Sequence, residues 1–511
     1  MFRKANLPLP MTSYASLVVA KPKEMHVIWR REGVAEDFLY EETFALPGNG
    51  DSHGHFDASI RKELYSDRYG GFGVGYCGGS GRCAGDEKVQ LKGVGITPLW
   101  RANPKIPNDR WHSNGIVDAV EAAREIIWTE ICSQILPYGA VPILGAVAIG
   151  ADSRAPLSDT RVVLIRSNCF RPAHFMRNVL FEPAFQCGQH LDVTRVVNAL
   201  KLLPEIFDAT FRLQLAGNRP AKRLGNGLLE LSRRLSCQLA TAFVRRLFHG
   251  APLCSNISLD GKLLDFGATT YVPGYRREAA EPFGIDQWNQ RQILTRSLLK
   301  FHENIVEFSG LGITEDFPTS ECIKAEIGFA WERTLAKEFF RLAGLNSTHI
   351  SEKLLRRHSS FIECCIGLMK AAAKTQYVLR NRKDDVMRNA SSLGFGESNL
   401  NSALVRLSND DGVGEKVKAL HVDLGVCREI AEKLVSSHSA LIVEAASGRF
   451  SPPEPSARTY AKAIQRNQEL PFLKRHILDN RFSSLEGGRQ EYSAEIQKII
   501  ATALTALKTN D

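Results

Sequence analysis

The stretch SNISLDGKLLDFG, residues 255–267, puts Asn256 ahead of a two-strand turn and Asp265 just after the apolar pair Leu263-Leu264, nine residues further on (265 − 256). An amide oxygen and a carboxylate presented side by side are hard ligands of the kind Mg²⁺ takes. That ion uses few protein oxygens and leaves nucleotide phosphates to fill other positions. LDFG alone is a common turn, so its weight depends on what stands upstream.

Upstream, glycines concentrate in YGGFGVGYCGGSGRCAGDEKVQLKGVG, residues 69–95. Closely spaced glycines let backbone N–H groups approach phosphate oxygens. Gly71, Gly73 and Gly75 open no helix and GSGR at 79–82 lacks a GK[ST] ending, so neither a Rossmann fingerprint nor a P-loop is present. Turns in a small sheet explain the glycines equally well. Lys92 follows an apolar strand, and Glu125 falls 33 residues on (125 − 92), on the next helix. In kinase-like sites a strand lysine holds ATP phosphates and is positioned by a carboxylate on the following helix. Read by themselves, a lysine and a glutamate in this order are common enough that Lys92 and Glu125 are better taken as two solvated charges. The order glycines, lysine, glutamate, asparagine, aspartate fits a kinase fold, except that no HRD loop precedes Asn256: residues 249–255 read HGAPLCS.

With 511 residues the chain exceeds one ordinary core. Its 44% apolar and 24% charged content is that of a soluble globular protein, and no run reaches the ~20 apolar residues of a membrane span. The N-terminal residues form no convincing export signal. Eleven cysteines without CxxC pairs argue against a disulfide framework or a zinc cluster, so a cytoplasmic location is expected. The net charge, 65 − 56 = +9, favours anionic partners without choosing among them.

Along the chain, residues 1–65 read as an irregular leading segment with some strand character that closes on the loop-like GNGDSHGHFD. Residues 66–165 read as a small β-rich lobe, 166–300 as a helical lobe carrying the metal site, and 301–511 as further helices. Ile116 to Leu136 has helical spacing behind Ser113-Asn114 as cap and stops at Pro137. AVPILGAVAI and RVVLIR read as strands, and helices run from about Arg195 to Phe248. Loops are expected at 346–348, 391–399 and the SPPEPS of 451–456. The expected class is α+β: a protein-kinase-like two-lobed fold with additional C-terminal helices.

Over roughly residues 65–295 the chain resembles the selenoprotein O family of kinase-like protein adenylyltransferases. The resemblance rests on YGG at 69–71, GSGR at 79–82, QLKGVGITP at 90–98, RE at 124–125, Arg166 and Arg171 in IRSNCFR, HG at 249–250, Asn256, LDFG at 264–267 and DQWN at 286–289. It implies ATP and Mg²⁺ as cofactors and AMP transfer as the activity. Lys92, Glu125 and Asp265 would be catalytic; Gly79, Arg82, Lys92, Arg166 and Arg171 would bind nucleotide; Asn256 and Asp265 would hold metal. The pattern departs from the family at Ser255, where an aspartate is usual. It also departs in the longer segment between Lys92 and Glu125, the short spacing of Arg166 and Arg171, and a terminal ALKTND without cysteine. In overall character the chain is also similar to the MchC-type siderophore-microcin maturation proteins. That similarity implies a peptide or protein acceptor such as a microcin precursor and a second maturation enzyme as partner; neither nucleic acid as a partner nor a membrane span is expected.

Overall fold

The computed structural model describes residues 13–47, 55–101, 114–150, 160–181, 189–211, 219–272, 275, 279–280, 285–310, 317–343, 345, 350–381, 403–405, 407, 411–423, 428–447, 470–485 and 488–507. The expected loops at 346–348, 391–399 and 451–456 lie outside these residues. The fold is α+β, an antiparallel sheet joined to many helices.

The sheet contains β1 (Tyr14–Pro22), β2 (Met25–Arg30), β3 (Phe56–Asp67), β4 (Cys83–Gly85), β5 (Val89–Lys92), β6 (Val117–Asp118), β7 (Ile143–Ile149) and β8 (Arg161–Ser167). Its order is β1-β3-β4-β5-β8-β7-β2, with β6 on β8. Strands β3, β4 and β5 form a meander whose first connection is the glycine-rich segment. Side chains alternate across a strand: Val162 and Leu164 of β8 pack in one core, Val163 and Ile165 in another. Both faces are covered, which is why β7 and β8 read as continuous apolar runs.

The leading segment is more regular than its sequence suggested. It supplies β1, β2, β3 and the helix α1 (Glu36–Glu42), and Phe56 and Asp57 of the loop-like stretch already belong to β3. β2 pairs with β7 more than a hundred residues away, and no local window contains that pairing.

Helix α2 (Ala119–Ile135) packs on the sheet. Its cap is Asp118, whose Oδ1 accepts the Glu121 N–H at 2.7 Å; Asn114 instead accepts from Ile116, and Ser113 is outside the described residues. Beyond α2 come α3 (Gln189–Leu200), α4 (Leu203–Phe211), α5 (Pro220–Val244), the β9–β10 pair (Leu247–Phe248, Thr270–Tyr271), α6 (Gln290–Phe308), α7 (Ser320–Leu342), α8 (Glu352–Arg357) and α9 (Ser359–Asn381). After α10 (Val413–Lys418) and α11 (Arg428–Ser447), helices α12 (Arg475–Ser483) and α13 (Gly488–Leu507) return to α2. There Tyr492 Oη donates to the Ala119 carbonyl at 2.6 Å and Arg124 pairs with Asp479 at 2.5 Å.

Among the described residues no helix is long and apolar enough to cross a membrane. Every described cysteine is a free thiol.

Candidate active site

Lys92 ends β5 with its side chain almost fully buried. Its Nζ donates to Glu125 Oε1 at 2.9 Å and to Asp265 Oδ1 at 2.7 Å, and Glu121 Oε1 lies 3.4 Å away. Glu121 and Glu125 stand one turn apart on α2, hence on one face of it. Burial works against the Lys92 ammonium, but Asp265 and Glu125 outweigh it and hold the amine above its usual range. Asp265 stays anionic: burial opposes its charge, but Lys92, Arg82 and Arg166 pull its carboxyl well below the usual value. Burial pushes Glu125 up against the pull of Lys92. In Glu121, burial is overcome by Arg82 and Lys92, which draw it down to about 2.

The stretch 256–265 forms the expected hairpin. Leu264 N–H donates to the Asn256 carbonyl at 3.1 Å, Ser258 N–H to the Lys262 carbonyl at 2.9 Å, and Ile257 bridges Leu263. Asp265 follows with φ of +65°, a left-handed backbone uncommon outside glycine. Its neighbours hold it there. The Ala251 N–H points to His249 Nδ1 at 3.3 Å, so Nε2 carries the proton and donates to the Leu264 carbonyl at 3.1 Å. Burial lowers His249 to about 4, which keeps this neutral tautomer. The Phe266 ring meets His249 edge-on at 5.4 Å. A Cβ on Gly267 would lie 3.8 Å from Glu125 Oε1, so the chain passes directly over the ion pair.

Asn256 is half-buried, and its Nδ2 donates to the Ala251 carbonyl at 3.1 Å. Its Oδ1 is the end left for a cation, and the Asp265 carboxylate is 35% exposed and reachable. Among the described residues no three His, Cys, Asp or Glu side chains cluster as a closed metal site. One carboxylate and one amide fit Mg²⁺ carried in with phosphates, which needs only one or two protein ligands.

The three arginines lie around this centre but are tied to protein groups. Arg82 forms a fork on Glu121 (3.0 and 2.6 Å) and donates to the Ile116 carbonyl. Arg166 and Arg171 converge on Gln90 Oε1 at 2.8 and 3.1 Å; Arg171 also donates to the Ser255 carbonyl at 2.7 Å. Gln90 Nε2 in turn donates to Asp67 Oδ2 at 2.7 Å. Among the described residues, Arg171 Nε is buried with no acceptor. Gly79 has φ of +144°, and a Cβ there would sit 2.1 Å from the Asp67 carbonyl, so close backbone approach explains its glycine.

Sequence reasoning missed Gln90, Glu121 and Asp67. Two signals were available. Gln90 precedes Lys92 by two positions on the same strand face, directly opposite Arg166 in register, and Glu121 precedes Glu125 by one helical turn.

No protein-family model matches this chain, and no curated protein sequence does.

Proposed function

We propose that this chain is an ATP- and Mg²⁺-dependent nucleotidyltransferase with a protein-kinase-like two-lobed body, of the selenoprotein O kind, acting on a peptide or protein acceptor. The observation that carries the reading is the Lys92 amine, bonded at once to Glu125 on the next helix and to Asp265 after the hairpin. Lys92 lies on the third strand of a meander that begins at a glycine-rich connection, the position a kinase lysine takes. On this reading Lys92 would hold phosphate oxygens, Glu125 would orient Lys92, and Asp265 with Asn256 would hold Mg²⁺. The ion would supply neutralising charge beside the phosphates. Arg82, Arg166 and Arg171 are the forked donors suited to a triphosphate.

Residues 249–255 offer no carboxylate to serve as a base beside Asn256, and the Ser255 carbonyl is already taken by Arg171. That favours an acceptor needing no deprotonation, namely a carboxylate such as the C-terminus of a microcin precursor peptide. Its oxygen would bond to the α-phosphorus as the bond to the β-phosphate oxygen breaks, giving an acyl-adenylate and pyrophosphate. The same missing base counts against γ-phosphoryl transfer to a hydroxyl. It is also what a nucleotide-binding pseudoenzyme, acting as a subunit of a maturation complex, would display.

Incubation with ATP labelled at the α- or the γ-phosphate, with Mg²⁺ and the candidate peptide, tests the reading. Label arriving from the α-position supports it. Transfer from the γ-position points to a kinase, and no transfer from either to a pseudoenzyme.

A further inference from the structure

A cavity of about 760 Å³ opens between α6, α7 and α9 and shares no lining residue with the Lys92–Asp265 site. Its wall is aromatic. Phe243 meets Trp288 edge-on at 5.1 Å and lies tilted against Trp331 at 5.7 Å, and Trp288 Nε1 is already satisfied by the Tyr275 carbonyl at 3.1 Å. The indole N–H of Trp331 has no acceptor among the described residues.

The rim is basic. Five cations and two carboxylates line the cavity, a balance of 5 − 2 = +3. Lys300 is paired with Glu303 and Lys324 with Glu321, both at 2.6 Å. Arg291, Arg296 and Lys370 have no carboxylate partner among the described residues. Arg291 is the half-buried one. Its guanidinium lies 5.6 Å from the Trp331 ring, and a Cβ on Gly328 would approach its Nη2 to 3.2 Å. A glycine inside a helix such as α7 costs about 1 kcal/mol relative to alanine, and at position 328 it leaves room for that guanidinium.

A partly desolvated guanidinium without an acceptor favours an incoming anion, which it can bind through two parallel hydrogen bonds. Flat aromatic walls favour a ring stacked or set edge-on against them. The volume lies within the ~300–1,000 Å³ of small-molecule sites. We propose that this cleft is a second ligand site, for a small anionic aromatic molecule whose ring lies against Trp288 and Trp331 and whose acid group is held by Arg291. The proposal is independent of the nucleotide reading, because it uses none of the same residues.

Fluorescence titration of the full chain with anilinonaphthalene sulfonate, an aromatic sulfonate, tests it. Saturable binding of one molecule per chain is expected, weakened about ten-fold or more by Arg291→Gln, a change of ~1.4 kcal/mol. Phenylnaphthylamine, with similar rings and no acid group, should bind far more weakly. Should Arg291→Gln lower the melting transition, the exposed pair Arg296→Gln and Lys370→Gln replaces it, with several-fold weakening expected. Equal binding of the neutral probe, or an affinity unchanged in these variants, overturns the proposal. A tetraglutamate peptide that displaces the dye better than naphthalene sulfonate does would also overturn it, in favour of an acidic peptide.

Discussion

The amine of Lys92 and the carboxylate of Asp265 lie 2.7 Å apart although 173 residues separate them in the chain. Strand β5 delivers the lysine and the hairpin at 256–264 delivers the aspartate, with Glu125 of α2 closing the group at 2.9 Å. A buried ammonium between two carboxylates is a structural element as well as a chemical one.

Lys92→Met is therefore expected to cost stability as well as function. It would leave Glu125 and Asp265 as neighbouring acids without their cation, a loss of about 3 kcal/mol or more. Adding Asp265→Asn to Lys92→Met should restore part of it, with a coupling of about 1 kcal/mol or more. Urea unfolding of the two single variants and the double variant measures this. Strict additivity would show that the pair does not interact.

Acid should weaken the fold in two windows. His249 is depressed from 6.5 to about 4, so between these pH values the unfolded chain binds a proton that the folded chain refuses. The stability present above pH 6.5 is then lost as pH falls, by about 3 kcal/mol in all. Glu121, depressed from 4.5 to about 2, adds a second loss of similar size between those values. His249→Asn should lower the melting temperature at neutral pH yet flatten its pH dependence between 6.5 and 4. A slope identical to wild type would remove His249 from the acid limb.

The clasp on α2 is testable apart from the chemistry. Tyr492→Phe deletes one buried hydrogen bond to Ala119 and should cost about 1 kcal/mol. Asp479→Ala leaves the buried Arg124 guanidinium without its carboxylate, so a loss of roughly 1–3 kcal/mol is expected. Chemical denaturation reads both, and stability unchanged in both variants would mean that the last two helices do not hold α2.

What could be read from the sequence follows physical lines. β7 and β8 stood out because both faces are buried, and Lys92, Glu125 and Asp265 because their chemistry comes in a recognisable order. β1 and β2 did not, because each forms only by pairing with a distant partner, and Val18 of β1 faces solvent. Gln90 and Glu121 were passed over because an uncharged amide and a second glutamate gain meaning only from the arginines that fold against them. The cap of α2 was misplaced by four residues because Ser113-Asn114 and Asp118 are equally good capping types, and only Asp118 sits where the helix begins.

Gln90 also separates a scaffold from an arginine cradle. Gln90→Leu keeps the bulk but frees Arg166 and Arg171 from their shared acceptor and takes a donor from Asp67. The expected result is a fold that survives with a loss of roughly 1–3 kcal/mol and a raised KM for ATP. An unchanged KM in a folded variant would place both arginines outside nucleotide binding.

The most direct measurement is calorimetric titration of ATP into the wild-type chain and into Asp265→Ala, each with Mg²⁺ and with EDTA. Circular dichroism and the melting transition are used to check that the variant remains folded. Wild type is expected to bind ATP more tightly with Mg²⁺ than with EDTA. Asp265→Ala should lose that metal dependence, because Asn256 alone offers one neutral oxygen. Binding to the folded variant with wild-type affinity and undiminished Mg²⁺ dependence, or no binding to wild type at all, would contradict a nucleotide–metal site at Lys92, Asn256 and Asp265.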